Sequence, residues 1–318
     1  PERPIGEQFL RINGERSFWL LTIARWACIP FSLIGMGVCY HWSRILYGDH
    51  AGFLALVLWA FSPTLLGHGA LITPDVAAAS LGILAHYLFW RWLKQPAWHS
   101  TLVLGLKLGL LQLTKMTWVI LFGIWPLIWV LWRLSERPWS WRRMGRESCQ
   151  VAVVLVLSLL IINLGYGFEG TGQSLGRFDF ISSAIGGPIP PGSEGNGQIA
   201  YSREYFLGTV RNRFRGTWLA DLPIPLPANY VQGIDRQKFH FERENWSYLR
   251  GVWRNHGWWY YYLYAGAIKE PLGTWAIAVL AALAALRSPA YRTHWRTELF
   301  LLGMMVILFA FVSAQTGL

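Results

Sequence analysis

The stretch "LGLLQLTKMTWVILFG", residues 108–123, decides the architecture of this chain. It can be read as one long apolar helix or as two helices joined at "TKMT". The two readings put everything downstream on opposite sides of a membrane.

That a membrane is involved follows from composition. Of 318 residues, 53% are hydrophobic, 20 are tryptophan and only 14% are charged, whereas soluble domains carry about 25% charged residues. Mean hydropathy is positive. Apolar segments lie at 19–41, 51–67, 76–93, 100–114, 118–132, 149–167, 261–286 and 298–313. Several approach the roughly 20 residues that a bilayer-crossing helix needs.

Cations arbitrate between the two readings. Arg44, Arg91, Lys94, Arg133, Arg137, Arg142, Arg143, Arg146, Arg287, Arg292 and Arg296 all lie in connecting segments or at span ends. With eight spans, all eleven fall on one side, as the enrichment of cytoplasmic loops in Lys and Arg requires. Merging 100–114 with 118–132 would move the arginine-rich "RLSERPWSWRRMGRES" to the other side. The two-helix reading is therefore preferred. The net charge of +11 reads as loop asymmetry and not as a nucleic-acid surface, because the arginines form no single stripe. Three cysteines make no disulfide framework. Cys28 and Cys39 would stand roughly 16 Å apart along one helix, too far to bridge.

The expected organisation is all-α and polytopic. Residues 1–18 form the tail of an extracytoplasmic loop, 19–167 six transmembrane helices, 168–260 an extracytoplasmic loop or cap, and 261–318 two more transmembrane helices. Residues 168–259 hold ten Arg or Lys and eight Asp or Glu, too polar for a simple connector. Within them "SSAIGGPIPPGSEGNG" reads as Gly/Pro-rich loop. Pro1 in place of Met, and an apolar run close to Leu318, give the expectation of a piece of a longer chain.

On this topology the turn "GHGALITPD" faces outward. It carries Asp75, the only acid between Asp49 and Glu136. Directly after Pro74 at a helix start, Asp75 favours the helix dipole, and it equally suits a site at the membrane surface. His68 is a polar anchor or a proton or metal ligand. Lys115, Lys269 and Arg25 lie near outward helix ends, where long cations snorkel or serve function; Lys107 fits snorkelling or a buried pair. Trp258 and Trp259, in "GWWYYYLY", suit an interfacial aromatic belt or sugar stacking. The glycine run "GTGQSLG" lacks the Lys-Ser/Thr ending of a phosphate loop. Cations and a carboxylate at one face suit an anionic ligand such as a lipid phosphate. The cations would stabilise charge on a departing phosphate while the carboxylate accepts a hydroxyl proton. Ion-coupled transport would use similar charges.

The stretches "SPTLLGHGALITPDVAAASLGILAHYLF" and "GLKLGLLQLTKMTWVILFGIWPL", followed by "PIPLPANYVQGID" and "YLRGVWRNHGWWYYYLYAGAIKEPLG", resemble the bacterial relatives of dolichyl-phosphate-mannose protein mannosyltransferases. These are family 39-like glycosyltransferases of the multi-spanning C superfamily. The likeness runs from about Arg25 to Gly273. It implies an integral membrane enzyme of the bacterial inner membrane, with its site facing the periplasm. Such an enzyme moves a sugar, with inversion, from a polyprenyl-phosphate carrier to a protein, lipid or glycan acceptor. The resemblance makes Asp75 the second carboxylate of the site, Lys115 and Lys269 phosphate partners, and Arg25 a weaker one.

The first-loop acidic motif that supplies the family's catalytic base is not in this sequence. Glu2 and Glu7 are not promoted to that role, so the fragment is expected to be inactive alone. No cofactor is required by the sequence, a divalent cation stays open, and the spacing of His68, Asp75 and His256 settles no metal set. A transporter or flippase of lipid-linked or small anionic substrates, and an inactive scaffold on the same fold, are the alternative readings.

Overall fold

The structure, a computed structural model, describes residues 2–136, 140–188, 211–242, 246–255, 257–287 and 295–316. Arg137, Arg292, His256 and most of the Gly/Pro-rich loop lie outside the described residues.

All eight apolar segments are helical. In chain order the helices are α1 (Glu2–Asn13), α2 (Arg16–Trp26), α3 (Ile29–Tyr47), α4 (Asp49–Ala60), α5 (Pro63–Gly69), α6 (Asp75–Lys94) and α7 (Trp98–Thr114). There follow α8 (Leu121–Leu134), α9 (Trp141–Gly165), α10 (Ser183–Gly186), α11 (Ala228–Glu242), α12 (Tyr261–Lys269), α13 (Leu272–Arg287) and α14 (Trp295–Thr316). A two-stranded hairpin, β1 (Ser247–Leu249) with β2 (Val252–Arg254), is the one sheet among the described residues. Its two turn residues, Arg250 and Gly251, both take positive φ (53° and 84°), matching the twist of a tight hairpin.

Among the described residues, four helical stretches are long and apolar enough to cross a membrane: Arg16–Tyr47, Asp75–Lys94, Met116–Leu134 and Trp141–Gly165. The number rises to six if the bent pairs α4–α5 and α12–α13 each count as one span. The chain is thus an all-α polytopic membrane protein. At Leu108–Gly123 there are two helices, not one. α7 stops at Thr114, Lys115 is extended, and a 3-10 turn (Met116–Ile120) leads into α8. Side chains hold this break: Gln112 Nε2 donates to the Trp118 carbonyl at 2.9 Å, and Thr114 Oγ1 to the Leu111 carbonyl at 2.7 Å.

The chain divides into two compact units, Pro1–Arg91 with Ile268–Tyr291, and Trp92–Ala267 with Arg292–Leu318. In the first, α3 and α4 form a hairpin around Gly48, whose φ of 89° favours glycine. Gly35 lies against the Trp59 indole. The rings of Trp42 and Trp90 (5.7 Å) and of Trp42 and Tyr87 (5.5 Å) pack beside it as an aromatic cluster.

In the second unit, α7 packs along α9 through Gly105 and Gly109. A Cβ on Gly109 would lie 2.5 Å from Cβ of Ile161, and one on Gly105 would lie 3.0 Å from Cβ of Leu157. Lipid gives apolar helices no hydrophobic reason to associate, so close backbone approach over small residues supplies the packing. Beyond α9 the chain is folded by polar pins. Asn163 Nδ2 donates to the Pro225 carbonyl (3.0 Å), and the Asp235 carboxylate accepts from the backbone N–H groups of Ile181 (2.7 Å) and Ser182 (3.1 Å).

Candidate functional site

The turn between α5 and α6 is shaped locally. Ser62 caps α5, its Oγ accepting from the Leu65 N–H at 3.4 Å, and Pro63 takes the first helical position, where a missing N–H costs nothing. Gly69 ends the helix. Pro74 then precedes α6, and its carbonyl accepts from Ala78 N–H at 2.8 Å. Asp75 therefore occupies the first turn of α6, where the positive end of the helix dipole favours a carboxylate.

The structure brings His68 and Asp75 together: His68 Nδ1 is 3.5 Å from Asp75 Oδ2, with side chains 47% and 36% exposed. Four residues back on α5, Thr64 Oγ1 donates to Glu270 Oε1 at 3.2 Å. Residues i and i+4 share one helix face, so one face of α5 carries the links to two carboxylates, Asp75 and Glu270. Leu66, Leu71 and Ile72 are exposed around this polar cluster, an apolar rim suited to a lipid surface.

Glu270 is the residue that the sequence reading missed. Its signal was an acid immediately before Pro271, at a break between two apolar helices. Lys269, exposed at the end of α12, is its chain neighbour. Arg25 is exposed in the last turn of α2, just ahead of the break at Ala27–Cys28. It therefore stands before the 19-residue helix α3 and not within it.

Three expected residues belong to the other unit. Lys115 is exposed at the α7–α8 break. Beside that break α11 packs down, with Gly233 against Met116 and Tyr230 OH donating to Gln112 Oε1 at 3.1 Å. Burial, and secondarily Tyr166, pushes the Tyr230 phenol well above its ordinary range. Trp258 is buried with the Arg254 guanidinium 3.7 Å from its ring centroid, so one face of the indole is covered. Trp259 is 70% exposed. Among the described residues no cluster of three or more His, Cys, Asp or Glu is arranged to hold a metal ion.

A sequence model of the dolichyl-phosphate-mannose-protein mannosyltransferase family matches residues 8–166, half of the chain. The match takes in the His68–Asp75 turn and the α7–α8 break. The stretches from Pro223 onward that resemble the same group lie beyond it. No curated protein and no solved structure matches. An all-helical membrane architecture and a family match over half of its length lead to one conclusion: the chain belongs to the dolichyl-phosphate-mannose-protein mannosyltransferase family, whose members are membrane glycosyltransferases using lipid-linked sugar donors.

Proposed function

We propose that this protein transfers a sugar from a polyprenyl-phosphate carrier to an acceptor hydroxyl on a protein, at the extracytoplasmic face of a bacterial inner membrane. The observation that carries the reading is the pairing of Asp75 with His68 on the face of α5 that also holds Glu270 through Thr64. A partly exposed carboxylate within an apolar rim is where an acceptor hydroxyl and a lipid-borne phosphate would meet.

In this mechanism Asp75, as the second carboxylate, hydrogen-bonds and orients the acceptor hydroxyl, whose proton passes to the first-loop carboxylate of the whole protein as the oxygen attacks the anomeric carbon. The bond from that carbon to the phosphate oxygen breaks on the opposite side, inverting the centre, and the carrier phosphate leaves with the electron pair. His68 spreads the charge on Asp75. Lys269 faces the negative charge that builds on the departing phosphate, where a fixed cation is most effective. Glu270 holds α5 through Thr64 and keeps its two carboxylate links in register. Positioned proton transfer contributes about 10²- to 10⁴-fold.

The test uses membranes holding the whole natural protein and radiolabelled polyprenyl-phosphate sugar, comparing the parent with Asp75→Asn. Transfer to protein by the parent, with a loss of at least about 100-fold in an equally abundant variant, is the expected result. Equal transfer by both reduces Asp75 to a helix-terminal charge. Lys115→Ala and Trp259→Ala enter the same assay, and their rates decide whether those exposed residues serve the reaction.

A further inference from the structure

α8 and α14 enclose an apolar cleft of about 280 Å³, lined by Ile128, Leu131 and Trp132 on one side and by Leu299, Phe300 and Gly303 on the other. A Cβ on Gly303 would meet nothing within 4 Å, so the glycine opens the cleft wall. Leu131 and Leu299 are 56% and 61% exposed at its lip, which places the opening on the surface a bilayer would cover.

One end of the cleft is cationic. Arg296 Nη2 donates to the Ser135 carbonyl, and its Nη1 stands 3.8 Å from Glu136 Oε1. Behind it, Arg133 and Arg143 take Glu136 and Glu147: Arg133 Nη1 to Glu136 Oε2 at 2.9 Å, Arg143 Nη1 to the same oxygen at 3.0 Å, and Arg143 Nε to Glu147 Oε1 at 2.8 Å. The network these contacts form, Arg133, Arg143 and Arg296 with Glu136 and Glu147, holds one cation more than it holds acids.

Depth fits a single leaflet. From Arg296 to Ile307 is eleven residues on one helix, or about 16 Å, roughly half of the 30 Å hydrocarbon thickness. An anion at the mouth and one hydrocarbon chain down the cleft satisfy both ends. Basic pockets between transmembrane helices on the cytoplasmic side commonly take anionic lipid head groups.

We propose that the α8–α14 cleft binds an anionic glycerophospholipid of the leaflet facing the arginine-rich loop, with its phosphate at Arg296 and one acyl chain between Ile128 and Gly303. This site is separate from the transfer chemistry and does not rest on it.

The purified protein, titrated with phosphatidylglycerol or with phosphatidylcholine of the same chains, is read by native mass spectrometry. Phosphatidylglycerol should be retained on the order of five-fold more strongly. Arg296→Gln should erase the preference. Gly303→Phe, and Ile128→Trp from the opposite wall, should each fill the cleft and lower retention of both lipids. Equal retention of the two lipids by the parent overturns the proposal. So does a preference that survives both cleft-filling variants, because the lipid then sits on the surface charge alone. Displacement of phosphatidylglycerol by an equal amount of polyprenyl phosphate overturns the assignment to phospholipid and gives the cleft to the sugar carrier's lipid.

Discussion

Two charged clusters in this molecule use similar residue types in different ways. Around Glu136 and Glu147, guanidinium groups close on carboxylates inside the protein. Arg133 is 3% exposed and Glu147 is fully buried, and Glu147 also accepts from Trp129 Nε1 at 2.8 Å while Arg133 donates to the Leu93 carbonyl. At the α5–α6 turn, His68 and Asp75 face each other at 3.5 Å with 47% and 36% of their side chains exposed. The first cluster is built so that its charges answer one another, and burial makes the loss of any member expensive. The second is loose and accessible, which suits a group that must meet a substrate.

Four substitutions would break or sharpen that contrast. The largest effect is expected from Asp75→Asn, at least about 100-fold in transfer, with the melting temperature and abundance unchanged as for most surface substitutions. A matching fall in abundance would make the α5–α6 turn structural, like the buried cluster. Next comes Glu147→Ala, which takes from the buried Arg133 one of its two carboxylate partners and leaves Trp129 Nε1 without its acceptor, and should cost about 3 kcal/mol. Its signature is a large drop in folded yield and thermal stability, with activity per folded molecule preserved. A variant that is stable but inactive would transfer function to the arginine cluster.

Gly109→Leu tests packing without charge. Overpacking against Ile161 should destabilise by about 1–3 kcal/mol, read as a lower melting temperature, with Gly109→Ala intermediate. The smallest effect is assigned to Tyr230→Phe, which removes one buried hydrogen bond to Gln112 and should cost about 1 kcal/mol. It also has a pH signature. Burial raises the phenol's pKa in the folded state, so the unfolded chain ionises first. The stabilisation is present below about pH 10 and is lost as pH climbs further. Denaturant melts from pH 8 to 11 should show a shallower decline in the phenylalanine variant.

Much of this was legible in the residues themselves. The eight helical segments follow from apolar runs, the α7–α8 break from the polar "TKMT", and the place of Asp75 from Pro74 ahead of an apolar run. Each is a local property of a few consecutive residues. Glu270 escaped notice because its partner Thr64 lies 206 residues away, and an acid before a proline carries no mark of what it will touch. The role of Gly105 and Gly109 in close packing became plain only once α9 lay against them. The ring of Trp258 reads first as interfacial belt and only second as sugar platform, and nothing in the sequence shows that Arg254 lies over one of its faces.

By itself, then, the sequence determined that the chain is an all-α membrane protein and which stretches are apolar helix, because hydropathy and helix propensity act over a few residues at a time, while the breaks inside 19–41, 51–67 and 261–286 came only with the structure. Only the tertiary structure decided that His68 meets Asp75, that Thr64 reaches Glu270, and that Arg296 guards an apolar cleft. Those pairings depend on which helix faces come to lie together, and short distances between residues far apart in sequence arise only from the packing of the whole unit.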